Sequence, residues 1–387
     1  MKETAISQKI QKELSKMKRF GIAAAGLLLI GLIAGCGQQK KADDVLTVVN
    51  NAKDTSIEQL IEHAKAETGD FTVYSTSSKT DKTVKAFFAK YGLQGTGSGV
   101  KQNEKDFYSA IEKLIDGGSA EIDAVVTQNG ASLSVELGAG NLINYNPVVP
   151  GAAKSDMYAF MYYFKEFAMD KKFDEQITNV WDLIDTSSAV YYRKAGEPIN
   201  QLFMAALTTD TWAQKLAAAY DAKYGAGACD TAVAAGNFKN AGYLFIDGFL
   251  KKTTDYESEG KIASKIVVDA ATPVIGFSPV SKYSIGAEGT YNKVKFFNNM
   301  NGFNGYAYKF YTQIAKTTDR PYTAMLFINY LSTAEGIANY QEGNGVYSTN
   351  NTVQQDIDSL LDGFVMENYA DVKSDWASIV KLLEGYN

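Results

Sequence analysis

Two segments of this chain repeat one order of elements: a short apolar strand, a polar loop, then an amphipathic helix. In the first, Phe71-Thr72-Val73-Tyr74 runs into Ser75-Thr76-Ser77-Ser78-Lys79-Thr80-Asp81. A helix follows from about Lys82 to Tyr91, with Val84, Phe87 and Phe88 turned inward. In the second, a helix bearing Phe107, Ile111, Leu114 and Ile115 stops at Gly117-Gly118. The strand Ile122 to Val126 comes next, then the loop Thr127-Gln128-Asn129-Gly130 and a helix to Leu137. Strands that alternate with helices pair in parallel and must be covered on both faces. Ligands of such sheets sit beyond the carboxyl ends of the strands, where both polar loops lie.

The strongest apolar run is elsewhere, in MKRFGIAAAGLLLIGLIAGCGQQKK, residues 17–41. Gly21 to Ile33 is too short for a resident span, which needs about 20 apolar residues, and suits the h-region of an export signal. Lys18 and Arg19 supply the positive charge in front, and Ile33-Ala34-Gly35-Cys36 resembles the lipobox of bacterial lipoproteins. That resemblance implies lipid on Cys36 and a membrane anchor for a protein working outside the cytoplasm. Residues 1–35 are then the signal peptide, with Met17 expected as the true start, and 36–55 a flexible tether.

Removing residues 1–35, with six basic and two acidic residues, leaves 32 Lys and Arg against 42 Asp and Glu, a net charge near −10. Such a surface repels phosphate backbones, so nucleic acid is not an expected partner. Cys229 stands alone once Cys36 carries lipid, which leaves no internal disulfide. His63 is the only histidine, on the solvated side of an expected helix from Ile57 to Glu67. One histidine permits no Ser-His-Asp triad and no HExxH zinc site. Gly95 to Gly99 (GTGSG) follows a helix instead of a strand, the wrong context for a dinucleotide loop, and reads as a turn. No cofactor or resident metal is expected. Carboxylate-only glycoside hydrolysis survives these exclusions and stays open as the alternative.

Several passages are similar, in one collinear order, to extracellular solute-binding proteins of the ferric-iron and spermidine type, which serve ABC importers. They are SIEQLIEHAKAETGDFTVYSTSSKTDKTVKAFFAKYG, AEIDAVVTQNGASLSVELGAGNLINYNP, TNVWDLID, GYLFIDGFL and PYTAMLFINYLSTAEGIANYQEGNGVYSTN, spanning about 56 to 350. The resemblance implies an α/β, two-lobed periplasmic-binding-protein-like fold of type II, with two parallel or mixed sheets flanked by helices and a ligand cleft between lobes. Carried onto this chain, lobe one is 56–150 and 270–315, and lobe two is 151–269 and 316–387. Pro147 to Ala153 marks the first crossing and Thr272-Pro273 the second. The implied function is capture of a small polar solute for a permease by a monomeric, non-enzymatic protein.

Candidate contacts follow from both lines. Ser75, Thr76, Ser77 and Ser78 offer hydroxyls and N–H groups at a strand-to-helix turn, a setting that favours anions, although such residues also cap helices. Thr127, Gln128 and Asn129 form the second such loop. Tyr192 and Arg193 leave a strand in VYYRKAGEPIN, where a guanidinium could clamp an anion or pair with Glu197. Arg320, before Pro321, reads as a surface residue. Iron-binding members typically place two adjacent tyrosines after the second crossing. This chain has Gly276-Phe277-Ser278-Pro279 there, so Ser278 is a candidate contact and ferric ligation loses its usual donors. Tyr306 and Tyr347 could close over a solute.

Overall fold

The computed structural model describes residues 44–118, 121–194, 197–268, 271–284 and 291–366, together with 379, 381–383 and 385. The apolar run and Cys36 lie outside them. Residues 44–51, expected as tether, are helical. Val45, Val49 and Ala52 from this stretch are buried in the main core, because the apolar residues recur at helical spacing beside it.

The first half of the chain builds helices α1 (Ile57–Ala66), α2 (Thr80–Tyr91), α3 (Glu104–Asp116) and α4 (Gly130–Gly138). They alternate with strands β1 (Phe71–Ser75), β2 (Gly97–Lys101), β3 (Ala124–Thr127) and the short β4 (Leu142–Ile143). Ser56 and Gln59 close a capping box on α1, and Gly92, at φ +60, ends α2 in the left-handed region. β1 buries Phe71, Val73 and Ser75 and leaves Thr72 and Tyr74 half-buried, the period-2 alternation of a strand. β2 was missed as a strand because Gly97 and Gly99 erase its hydrophobic alternation. A Cβ on Gly99 would lie 2.4 Å from the Asp81 nitrogen, so glycine is what lets α2 approach.

The long strand β5 (Ala159–Asp170) follows, then α5 (Asp182–Asp185), β6 (Ala189–Tyr192), α6 (Pro198–Leu207), α7 (Asp210–Tyr224), α8 (Ala228–Ala235), α9 (Ala241–Lys252), β7 (Thr254–Asp255), α10 (Glu259–Val267), β8 (Val274–Pro279) and β9 (Val294–Phe296). A second long strand, β10 (Gly305–Ala315), leads to α11 (Pro321–Leu331), α12 (Ala334–Ile337), β11 (Val346–Ser348), α13 (Ile357–Leu361) and β12 (Phe364–Met366).

The strand order is β2-β1-β3-β10-β5-β8-β6-β7. β2, β1 and β3 form one parallel wing, and β8, β6 and β7 form another. Between them β10 and β5 pair antiparallel, with Tyr306 opposite Lys165 and Tyr308 opposite Tyr163. The far end of β10 pairs with β3, while the far end of β5 pairs with β8, so these two strands carry the chain from wing to wing.

This corrects the expected division. The links are β5 and β10, not 147–153 and 272–273. Pro147 to Ala153 stays on the first wing, where the Val148 N–H donates to Asn329 Oδ1 (2.8 Å) and Asn350 Nδ2 donates to Pro150 O (3.0 Å). β8 and β9, expected in lobe one, pair with β5 beside the second wing. Residues 316–353, expected in lobe two, return to the first: α11 packs on α1, with Phe327 against Phe71 and Phe87 and Tyr330 against Phe87 and Tyr91. Burial is continuous from Thr323 to Leu331, which marks α11 as an internal helix. Arg320, expected at the surface, is 0 % exposed; its guanidinium donates to Gly69 O (2.6 Å), Gln94 O (3.1 Å) and Glu67 O (3.4 Å). Trp181 is buried in the main core, its Nε1 donating to Leu216 O at 3.0 Å. His63 is exposed and stacks on Tyr322 with ring centroids 4.4 Å apart.

Candidate functional site

A cavity of about 350 Å³ opens where the carboxyl ends of both wings face one another. One wall is the turn between β1 and α2. Ser75 Oγ is fully buried and accepts from the Ser77 N–H (2.9 Å) and from Thr80 Oγ1 (2.7 Å), while Ser77 Oγ accepts from the Lys79 N–H (3.2 Å). These bonds hold Thr76, Ser77, Ser78 and Lys79 at the cavity. The Thr76 hydroxyl is buried there with no hydrogen-bond partner, an uncompensated polar group of the kind a ligand satisfies. Lys101, the last residue of β2, and Gln128, the first after β3, complete this wall.

The floor is the strand pair that joins the wings. Tyr163 and Lys165 alternate on one face of β5, and Tyr308 and Phe310 on the matching face of β10. The Tyr163 ring lies 5.8 Å from Tyr308 and 5.0 Å from Phe310. Lys165 is 1 % exposed; its Nζ donates to Glu259 Oε1 (2.7 Å) and Asn200 Oδ1 (2.8 Å) and lies 5.3 Å from the Tyr308 ring centroid. The far wall has Glu197, Glu259, Ser281 and Lys282, which follow the carboxyl ends of β6, β7 and β8. Burial raises the Glu197 carboxyl above its ordinary range against the pull of the Lys165 ammonium, and Glu259 raises it further.

A strap from Tyr340 to Gly345 closes one side. Tyr340 bonds Thr80 Oγ1 at 2.9 Å, and Glu342 pairs with both Lys79 and Lys82, which draw its carboxyl down to about 2. Gly345, at φ +78, lies against Val280, where a Cβ would come within 2.5 Å.

Of the residues proposed from sequence, Thr76, Ser77, Ser78 and Gln128 line the cavity. Ser75 supports them from beneath. Thr127 is fully buried against Tyr108 (3.0 Å), and Asn129 caps α4 through the Ser132 N–H, so both hold the loop's shape instead of facing the cavity. Tyr192 is buried and its hydroxyl donates to Asn200 O at 3.0 Å. Arg193 is spent on the carbonyls of Tyr256 and Glu257. Ser278 is buried with its hydroxyl donating to Glu259 O at 2.9 Å, one residue short of the lining Pro279. Tyr306 shares the face of β10 with Tyr308, 5.8 Å away, but is buried further along it against Phe203 and does not line the cavity. Tyr347 packs against Phe164 with ring centroids 4.8 Å apart, on the face of β5 turned away from Tyr163. Cys36 lies outside the described residues.

Sequence reading missed Tyr163, Lys165, Tyr308 and Phe310, as well as Glu197, Glu259 and Glu342, as lining groups. The signal for the first four was present as period-2 alternation in YYFKE and YAYKF, but no local feature told which face would be the cavity. Adjacent strand residues point to opposite faces, so Tyr162-Tyr163 and Tyr191-Tyr192 cannot each act as a paired ligand set. Burial also pushes the Tyr163 phenol up to about 12. Among the described residues no group of three or more His, Cys, Asp or Glu is placed to hold a metal, and no helix is long and apolar enough to cross a membrane.

Two parallel wings joined by an antiparallel strand pair, with a cavity at their facing carboxyl ends, define the type II periplasmic-binding-protein-like fold, as the resemblance implied. Ferric-binding proteins are among its solved neighbours. A Trichodesmium protein (IdiA, FutA), solved in complex with iron and citrate, superposes with a TM-score of 0.58 at 16 % identity, over 82 % of this chain and 99 % of that one. The Campylobacter jejuni ferric binding protein matches with a TM-score of 0.57 at 14 % identity, over 82 % and 99 % of the two chains. The Bordetella ferric binding protein gives 0.55 at 15 % identity, over 82 % and 98 %. No protein-family model matches the sequence, and no curated protein sequence matches it significantly.

Proposed function

We propose that this chain is the solute-binding component of an ABC importer, held to the extracytoplasmic face of a membrane by lipid on Cys36. The monomer captures a small, polar, anionic solute between its wings and presents it to the permease. The cavity at the carboxyl ends of both wings carries this reading, with a buried unbonded Thr76 hydroxyl and Lys101 on one wall and Lys282 on the other. A solute that bridges the two walls binds only when they face each other, so occupancy shifts the population toward closure without covalent chemistry. Ferric iron fits this reading as an anionic complex, because the Tyr163 phenol favours its protonated form. The hydrolase alternative would use Glu197 and Glu259, but Glu259 is already engaged by Lys165.

Thermal melts against inorganic phosphate, ferric citrate, organic acids, phosphate esters, polyamines and oligosaccharides test the proposal. One anionic class should raise the melting temperature by mass action, with a fall in radius of gyration on the same addition. A panel without any shift, or turnover of an oligosaccharide in the same incubation, would refute it.

A further inference from the structure

We infer that the solute is an organic anion with a flat, ring-sized body, which lies on the shelf of Tyr163, Tyr308 and Phe310 while its charge meets the Thr76–Ser78 wall. This rests on the solute-binding reading above and adds the class of solute.

Three observations carry it. The first is size. At about 30 Å³ per water, a cavity of about 350 Å³ has room for roughly ten waters around a lone inorganic anion or metal ion. Clefts of about 300–1,000 Å³ are those that enclose organic ligands. The second is the shelf itself. Its rings contact one another at 5.8, 5.0 and 6.1 Å between centroids, and Tyr308 and Phe310 are 4 % and 5 % exposed. Half-buried Tyr163 supplies most of the open ring surface, with Tyr308 and Phe310 packed against it; a shelf fixed in this way is preformed, which lowers the ordering cost of binding, and it has no use for a bare ion. The third is how polarity is distributed. Hydroxyls of Thr76, Ser77 and Ser78 stand on the first wing with Lys79 and Lys101; Glu197, Ser281 and Lys282 stand on the second, where Glu259 is held by Lys165, with the rings between them. A molecule that spans this cavity needs an acceptor-rich anionic end, a planar middle, and at the opposite end a hydroxyl that can donate to Glu197 or accept from Lys282.

Calorimetric titration with 4-hydroxyphenyl phosphate, glucose 6-phosphate, inorganic phosphate and ferric citrate tests the inference on the full chain, with Tyr163→Leu and Phe310→Leu as variants whose folding is checked by melting. At least one ring-bearing anion should bind tenfold or more tighter than inorganic phosphate. Either variant should weaken that anion by tenfold or more while leaving inorganic phosphate within twofold. Inorganic phosphate or ferric citrate binding as tightly as the ring-bearing anions, or a variant weakening all of them alike, would overturn the inference and leave the solute-binding reading standing. Absence of binding by all four probes would count against both.

Discussion

Glu166 offers the sharpest test of the structure. It lies on β5, the strand that joins the wings, opposite Gly305 on one side and Ser278 on the other. It is 9 % exposed, and its Oε2 is buried with no hydrogen-bond partner. Among the described residues, the titratable groups felt from the elements packed on this face are phenols: Tyr283 and Tyr291 from the segment between β8 and β9, and Tyr347 from β11. Burial alone raises the Glu166 carboxyl from an ordinary 4.5 to about 7. The folded chain therefore holds a proton that the unfolded chain releases, and stability falls as pH rises. The contribution is whole below about pH 4.5, is lost between there and about 7, and levels off above. At 1.36 kcal/mol per decade, full ionisation costs about 3 kcal/mol. Glu166→Gln keeps the shape and removes the charge. Urea unfolding of both proteins at pH 5 and pH 8 should show the difference in stability moving in favour of the variant by about 2.5 kcal/mol between the two values, because part of the loss has already occurred by pH 5. Parallel loss of stability in wild type and variant would refute the reasoning, because the carboxylate would then have a partner or water that the structure does not give it.

Three further outcomes are expected. Asp123, bonded to the Thr72 N–H (2.7 Å) and Thr318 Oγ1 (2.5 Å), is also raised to about 7, mainly by burial. Asp123→Asn should therefore flatten the same part of the stability profile independently, and a double variant whose effects fail to add would show that the two sites are linked. Arg320→Met removes the donors to three backbone carbonyls while keeping most of the bulk over Phe88. It should cost about 3 kcal/mol by chemical denaturation, and a loss under 1 kcal/mol would contradict the bonding described. Lys101→Gln should weaken an anionic solute about tenfold at low salt, less as ionic strength rises, with melting of the unliganded protein unchanged; a salt-independent effect would remove Lys101 from the electrostatics of the cavity.

The fold was legible where the governing forces are local. Apolar spacing in FTVYS and in TVKAFFAKY marks β1 and α2, and the turn between them must lie at a carboxyl end, so the position of Thr76, Ser77 and Ser78 is legible in the sequence. Gln128 was found in the same way beyond β3. Arg193 and Tyr192 failed for a different reason. Their residue types suit anion binding, but the nearby carbonyls of Tyr256, Glu257 and Asn200 claim them, and no local pattern announces those partners.

The sequence by itself determined the wings: period-2 and period-3.6 patterns encode which strands and helices form, and each parallel strand brings a polar loop to one edge. Only the tertiary structure decided how the wings are joined and what they enclose. Tyr163 and Tyr308 meet across β5 and β10, Lys165 reaches Glu259, and Glu342 returns to Lys79, all over long sequence separations. Periodicity shows which face of a strand is apolar but carries no information about a partner a hundred residues away. That choice is made when the two long strands pair, and the pairing turns otherwise ordinary strand residues into the floor of a cavity.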